Sequence, residues 1–274
     1  MESIDSISLG NSILFTIALF GAVASFARPL RKPQDPQTQW EPWQFSFLTF
    51  FGYLWILILV ILFAPVFGDI LAEWITPGQA DDDQVRSITA TLVMQIGLVG
   101  TILSAIYRRG WSLGSFFCQK ESSWTDTLRQ AGHLFFRYLP AIWLVGMIWG
   151  GLLYGVGIEP EPQLAAQWIA DSDSVPFLLV MGVMVVITAP ISEELVFRGF
   201  LYRFLRDRGP ARLALIFSAL LFALLHASLH SFLPLLFIGL LLAKLYEDTR
   251  DIRIPILFHL FFNLFSYLNL IFLP

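Results

Sequence analysis

The sequence is poor in charge and almost without cysteine. Of 274 residues only 14% are Asp, Glu, Lys or Arg, against roughly a quarter in an ordinary soluble domain. The single cysteine, Cys118, excludes an intrachain disulfide framework and a cysteine-based metal knuckle. A polybasic footprint is missing too: 17 Lys and Arg stand against 21 Asp and Glu, a net charge of −4, which excludes a nucleic-acid binder. Four histidines are too few for the ligand set of a His-box di-iron desaturase. No half of the chain repeats the other, so the paired broken helices of a secondary transporter have no counterpart. What is present is apolar: 56% of residues fall in the AVILMFWYC set and mean hydropathy is +0.68. The apolar runs are long and continuous rather than alternating, which excludes a membrane barrel and a disordered chain.

A helix needs about 20 mostly apolar residues to cross a bilayer. Such stretches lie at roughly 9–27, 45–67, 88–107, 134–155, 175–202, 211–230, 232–248 and 254–272. The fold class is therefore all-α, a polytopic membrane helix bundle of about eight transmembrane helices. The first stretch is a poor signal peptide, because Glu2 and Asp5 precede it and Arg28, Arg31 and Lys32 follow it. The Pro-rich run Pro29 to Pro42 reads as a short loop.

Basic residues give the orientation. With both termini outside, 16 of the 17 Lys and Arg fall on the inner side, Arg86 alone excepted. The outer loops then carry Asp69, Glu73, Asp81, Asp82 and Asp83, and further on Glu159, Glu161, Asp171 and Asp173. The inner stretch Trp111 to Gly132 mixes aromatics with charges; it reads equally as an interfacial amphipathic piece or as a loop with aromatic anchors.

Ionisable groups inside spans are costly and mark function by default. They fall in three places: Glu193–Glu194 with Arg198, then His226, then His259 with Asn263. Glu193 and His226 are equally far from a turn at Gly209–Pro210, each about 25 Å of helix away, so an antiparallel hairpin brings them level. His259 and Asn263 lie about 9 and 15 Å past Arg253, in the same inner stratum. Glu194 and Arg198, four apart, pair on one helix face and leave Glu193 without a cation. Burial of such a carboxylate makes it a proton acceptor. Pro190 removes a backbone donor and loosens the helix just before the pair. Phe222, one turn before His226, packs against its ring. His259 and Asn263 project from one face as two neutral donors, a pattern that suits an oxyanion. The plainer alternatives are a buried ion pair gluing helices and interhelical hydrogen bonds from His226, His259 and Asn263. His230 reads as a polar residue near a turn at Ser231–Pro234, or as a zinc partner of His226. His133 has no assigned role.

The ordered set E193-E-x-x-x-R198, F222-x-x-x-H226 and H259-x-x-x-N263 resembles the CAAX protease and bacteriocin-processing (CPBP, or Abi) family of intramembrane proteases. That family includes the type II CAAX prenyl endopeptidases. The resemblance covers about 175–272, a CAAX-protease-like four-span catalytic region; the four-span region 1–174 is left unassigned. It implies an intramembrane endopeptidase in which Glu193 and His226 hold and activate water. His259 and Asn263 would stabilise the oxyanion, with Glu194, Arg198 and Phe222 supporting. Members are commonly labelled metalloproteases. No cofactor is certain; zinc is the candidate, with Glu193, His226 and His259 as a two-His-one-carboxylate set and His230 a spare ligand. The expected partners are the bilayer and a membrane-associated peptide or protein substrate. The expected location is a bacterial inner membrane, where prenylated substrates are not expected, so the substrate stays open. A non-catalytic scaffold or chaperone that retains the motif is the alternative.

Overall fold

The computed structural model describes residues 42–77, 82–117, 123–159 and 163–272, with a few positions between 16 and 23. Most of the first apolar stretch, 9–27, the basic cluster Arg28–Lys32, most of the Pro-rich loop, Asp81, Cys118, Lys120 and Glu161 lie outside the described residues. The described chain is helical. Six helices are long and apolar enough to cross a membrane: α1 (Phe47–Ile75), α2 (Asp83–Arg109), α4 (Trp124–Gly155), α6 (Val175–Arg206), α8 (Leu229–Thr249) and α9 (Arg253–Phe272). Two short helices, α3 (Leu113–Phe117) and α5 (Leu164–Ala170), and the 15-residue α7 (Ala211–Leu225) complete the described set.

Local chemistry sets the boundaries. The Ser46 hydroxyl caps α1, the Asp82 carboxylate caps α2 and the Ser123 hydroxyl caps α4, each accepting backbone N–H groups that the first turn leaves unpaired. Gly110, at φ 75°, ends α2 just after Arg108 and Arg109, where positive charge meets the helix C-terminus. The α1–α2 hairpin closes tightly: a Cβ on Gly68 would lie 2.5 Å from the backbone of Ala90. Phe51, Trp55, Leu62, Phe63 and Ile70 remain exposed along α1, as the lipid-facing side of a membrane helix requires.

Three boundaries differ from the sequence reading. The span placed at 134–155 begins ten residues earlier, at Trp124, because the Ser123 cap starts a helix of 32 residues there. Over residues 111–117 the chain folds inward: Phe116 is buried and Trp111 packs on Trp43. The span placed at 211–230 stops at Leu225, and the turn expected at Ser231–Pro234 lies instead at His226–Ser228. Ala227 there adopts φ 49°, and the Ser228 hydroxyl caps α8. His230 is thereby moved from the helix of His226 to the first turn of the next one.

Two aromatic and aliphatic cores hold the bundle. One joins α1, α2 and α6 through Phe50, Ile102, Phe200 and Phe204, with Trp43 donating its indole N–H to the Gly199 carbonyl at 3.0 Å. The other joins α4, α8 and α9 through Phe135, Leu242 and Phe258. A smaller cluster of Ile169, Met181, Val186 and Tyr267 seats α5 against α6 and α9. The N-terminal and C-terminal halves of the sequence thus share their packing.

Candidate active site

Helix α6 is the unusual element. It is interrupted by two π-helical stretches, Val183–Thr188 and Leu195–Tyr202, on either side of the short α segment that carries Pro190, Glu193 and Glu194. A π turn adds a residue per turn and leaves carbonyls without their usual partners. In the first stretch Ala189 N–H reaches the Met184 carbonyl. The next carbonyl, Val185, would need an N–H at position 190, and Pro190 has none. The Asn263 side-chain amide supplies it, donating to the Val185 carbonyl at 2.8 Å. The Ser218 hydroxyl likewise donates to the Phe197 carbonyl in the second stretch, at 3.2 Å.

The pair Glu194–Arg198 lies 2.7 Å apart with both side chains fully buried. Arg198 also donates to the Gly239 carbonyl at 2.9 Å and stacks over the Phe222 ring at 4.7 Å. That carbonyl is within reach because Gly239 presses on α7, where a Cβ would meet Ala219 at 3.1 Å. Glu194 accepts a second bond, from His259 Nδ1 at 3.0 Å. One buried carboxylate oxygen therefore orients a guanidinium and an imidazole together.

Glu193, on the next position, takes a different direction. It is a quarter exposed and faces the cavity, and its Oε2 atom is buried without a hydrogen-bond partner. Two imidazoles aim at that oxygen: His226 Nε2 at 3.9 Å and His259 Nε2 at 3.8 Å. The His226 Nδ1 donates to the Phe222 carbonyl at 2.7 Å, since a carbonyl can only accept. The neutral His226 ring then carries its lone pair on Nε2, facing Glu193. The Phe222 ring packs on His226 at 4.7 Å and on His259 at 5.8 Å between centroids. Separations near 3.8 Å exceed a direct hydrogen bond, so neither imidazole satisfies the Glu193 oxygen.

All three groups, with Asn263 and His230, line one cavity of about 640 Å³. Glu193 lies about 20 Å of helix from Arg206. From Glu193 the cavity extends away from Arg206, between α2, α6 and α9, to Gln163 and Trp168 at α5. Four residues the sequence reading did not single out join it. Ser87, Thr91 and Gln95 come from α2, and Gln95 is buried against the Thr188 hydroxyl at 2.5 Å. Trp168 comes from α5. A glutamine in an apolar helix is the one signal of this wall in the sequence, and without a charge it does not stand out. His133, left without a role, lines a separate groove with Arg137 and Asp248.

Zinc does not fit the donor set as arranged. Ligands at about 2.0–2.1 Å in a tetrahedron sit about 3.3 Å apart, closer than either imidazole lies to Glu193. Among the described residues no group of three His, Cys, Asp or Glu side chains is placed to hold a metal ion.

The chain is thus an integral membrane helix bundle with a carboxylate and two imidazoles converging inside it. Residues 175–265, which span the Glu193, His226 and His259 helices, match the family model described as Type II CAAX prenyl endopeptidase Rce1-like. That region is a third of the chain, and the match supports an endopeptidase role acting on a membrane-associated protein. No curated protein and no solved structure shows a significant match to the chain.

Proposed function

We propose that the protein is an intramembrane endopeptidase, and that a water held between Glu193, His226 and His259 is its nucleophile. The observation that carries the proposal is the unpartnered Glu193 oxygen with an imidazole nitrogen on each side, 3.8 and 3.9 Å away. Glu193 takes a proton from the water as the oxygen adds to the scissile carbonyl carbon. His226 orients that water through Nε2; Glu193 then hands the proton it took to His226 Nε2, which passes it to the leaving nitrogen as the C–N bond breaks. His259 holds Glu194 through Nδ1 and faces the reacting carbonyl with Nε2, beside the place where the oxyanion develops. Asn263 commits one amide hydrogen to Val185 and has a second for the same oxyanion.

Every step runs through residues of this chain, so cleavage is expected to persist in excess chelator. The site would work in a bacterial cell membrane, with the Arg203–Arg212 end cytoplasmic, as the split of basic and acidic loops indicates. Glu193→Ala and His226→Ala should each abolish cleavage of a membrane-protein reporter while the protein still inserts. Undiminished turnover in both variants would sink the proposal. If a Glu193→Gln variant restored a deletion phenotype, the scaffold reading would replace it.

A further inference from the structure

Helix α2 lies outside the segment that matches the family model, yet it supplies one wall of the cavity. Ser87, Thr91 and Gln95 recur every four residues, so they share a face and form a ladder about 12 Å long. Other hydroxyls of α2 are spent on their own helix: Thr89 donates to Val85 and Arg86, Thr101 to Gly97, and Ser104 to Thr101. The Ser87 and Thr91 hydroxyls make no such bond and face the cavity. Gln95 is 5% exposed, and only its amide oxygen is engaged, by Thr188. The other end of that amide is left for whatever fills the cavity. Thr188 ends the π stretch two residues before Pro190, so the ladder ends beside the stretch of helix that bears Glu193.

Beyond the uncharged polar groups of Gln163, Ser231, Asn263, Ser266 and Tyr267 and the ionisable groups, the walls are apolar, with Met94, Met181, Met184 and Leu270 among them, and no Lys or Arg lines them among the described residues. The ionisable groups facing it are Glu193 and the histidines 226, 230 and 259. A substrate carboxylate would find no fixed cation there and would meet Glu193. An extended peptide inside a membrane has the opposite need: its backbone N–H and C=O groups must be paired, and neutral donors and acceptors pair them without adding charge.

We propose that the Ser87–Thr91–Gln95 face of α2 docks an unwound, uncharged segment of the substrate chain, laid along the cavity from α5 toward Glu193. At about 3.3 Å per residue the ladder spans about four substrate residues. The bond presented to Glu193 is then an internal one, remote from any free carboxyl terminus. This rests on the endopeptidase reading for its meaning but is tested without catalysis.

The test uses the full chain carrying Glu193→Gln, in lipid nanodiscs. The probe is a nonapeptide of uncharged residues, acetylated and amidated, with a quencher that reads out on tryptophan fluorescence, Trp168 lying in the cavity wall. Saturable binding is expected, weakened about tenfold by Gln95→Leu and about threefold by Thr91→Val. The same peptide with a free carboxylate should bind about tenfold or more weakly. Thr91→Val is nearly isosteric and breaks no bond within the protein, so it guards against a misfolded Gln95 variant. Absent binding, equal binding of the two peptides, or unchanged affinity in both variants overturns the docking face. Intact docking without cleavage in the Glu193 enzyme would instead overturn the endopeptidase reading alone.

Discussion

Arg198→Met is the most informative single perturbation of stability. The side chain is wholly buried and does three things: it pairs with Glu194 at 2.7 Å, bonds the Gly239 carbonyl at 2.9 Å and covers the Phe222 ring. Methionine replaces the covering but neither bond. Removing one partner of a buried ion pair costs about 3–5 kcal/mol, because the other charge stays buried. The orphaned Gly239 carbonyl adds about 1–3 kcal/mol. The two costs overlap, since relaxation around one empty site serves both, so a loss of about 4 kcal/mol is expected. His259 softens the loss a little, as its Nδ1 still faces Glu194. Glu194→Gln combined with Arg198→Met removes both charges and retains an amide oxygen for His259. That double variant should recover to within about 2 kcal/mol of the parent. Equilibrium unfolding in mixed micelles, followed by the fluorescence of the nine tryptophans, measures both. Equal stabilities of the single and double variants would refute the reasoning, since the stranded charge would then carry no cost.

The Asn263 bond to Val185 exists because Pro190 withholds an N–H. Asn263→Leu should therefore cost about 1–3 kcal/mol, and less in a Pro190→Ala background where the helix supplies its own donor; a double-mutant cycle that closes additively would contradict this. At the loop end of α6, burial holds the Asp207 carboxyl above its ordinary value, against the Trp43 N–H and the nearby guanidinium groups of Arg203, Arg208 and Arg206. A raised folded value means its contribution is fully present below the unfolded value and is lost as pH rises through the folded one. Asp207→Asn keeps an oxygen for Trp43 and should be more stable than the parent at about pH 7, with the advantage gone near about pH 4. Gly239→Ala should push α7 from α8 and destabilise by about 1–3 kcal/mol, read as a lowered melting temperature.

The membrane bundle was legible in hydropathy, because a helix that faces lipid must be apolar over a fixed length. The positions of Glu193, Glu194, Arg198, His226, His259 and Asn263 were legible for the complementary reason: a polar residue stands out against such a background. The nearness of Glu193 and His226 also agrees with counting from the Gly209–Pro210 turn, although a π stretch lies between Glu193 and that turn. The end of α7 was not legible. An apolar run continues past Leu225, and composition cannot show that Ala227 turns the chain.

Sequence alone thus determined which residues are expensive to bury and on which helices they ride. Tertiary structure decided what each one faces. The four-residue spacing had already paired Glu194 with Arg198; only packing adds His259 to Glu194 and sets Glu193 between two imidazoles. Each π stretch of α6 frees a carbonyl that another helix satisfies, Val185 by Asn263 and Phe197 by Ser218. Gln95, Thr91 and Ser87 joined the cavity for the same reason: uncharged polar groups are cheap enough in a helix to pass unnoticed until packing shows what they face.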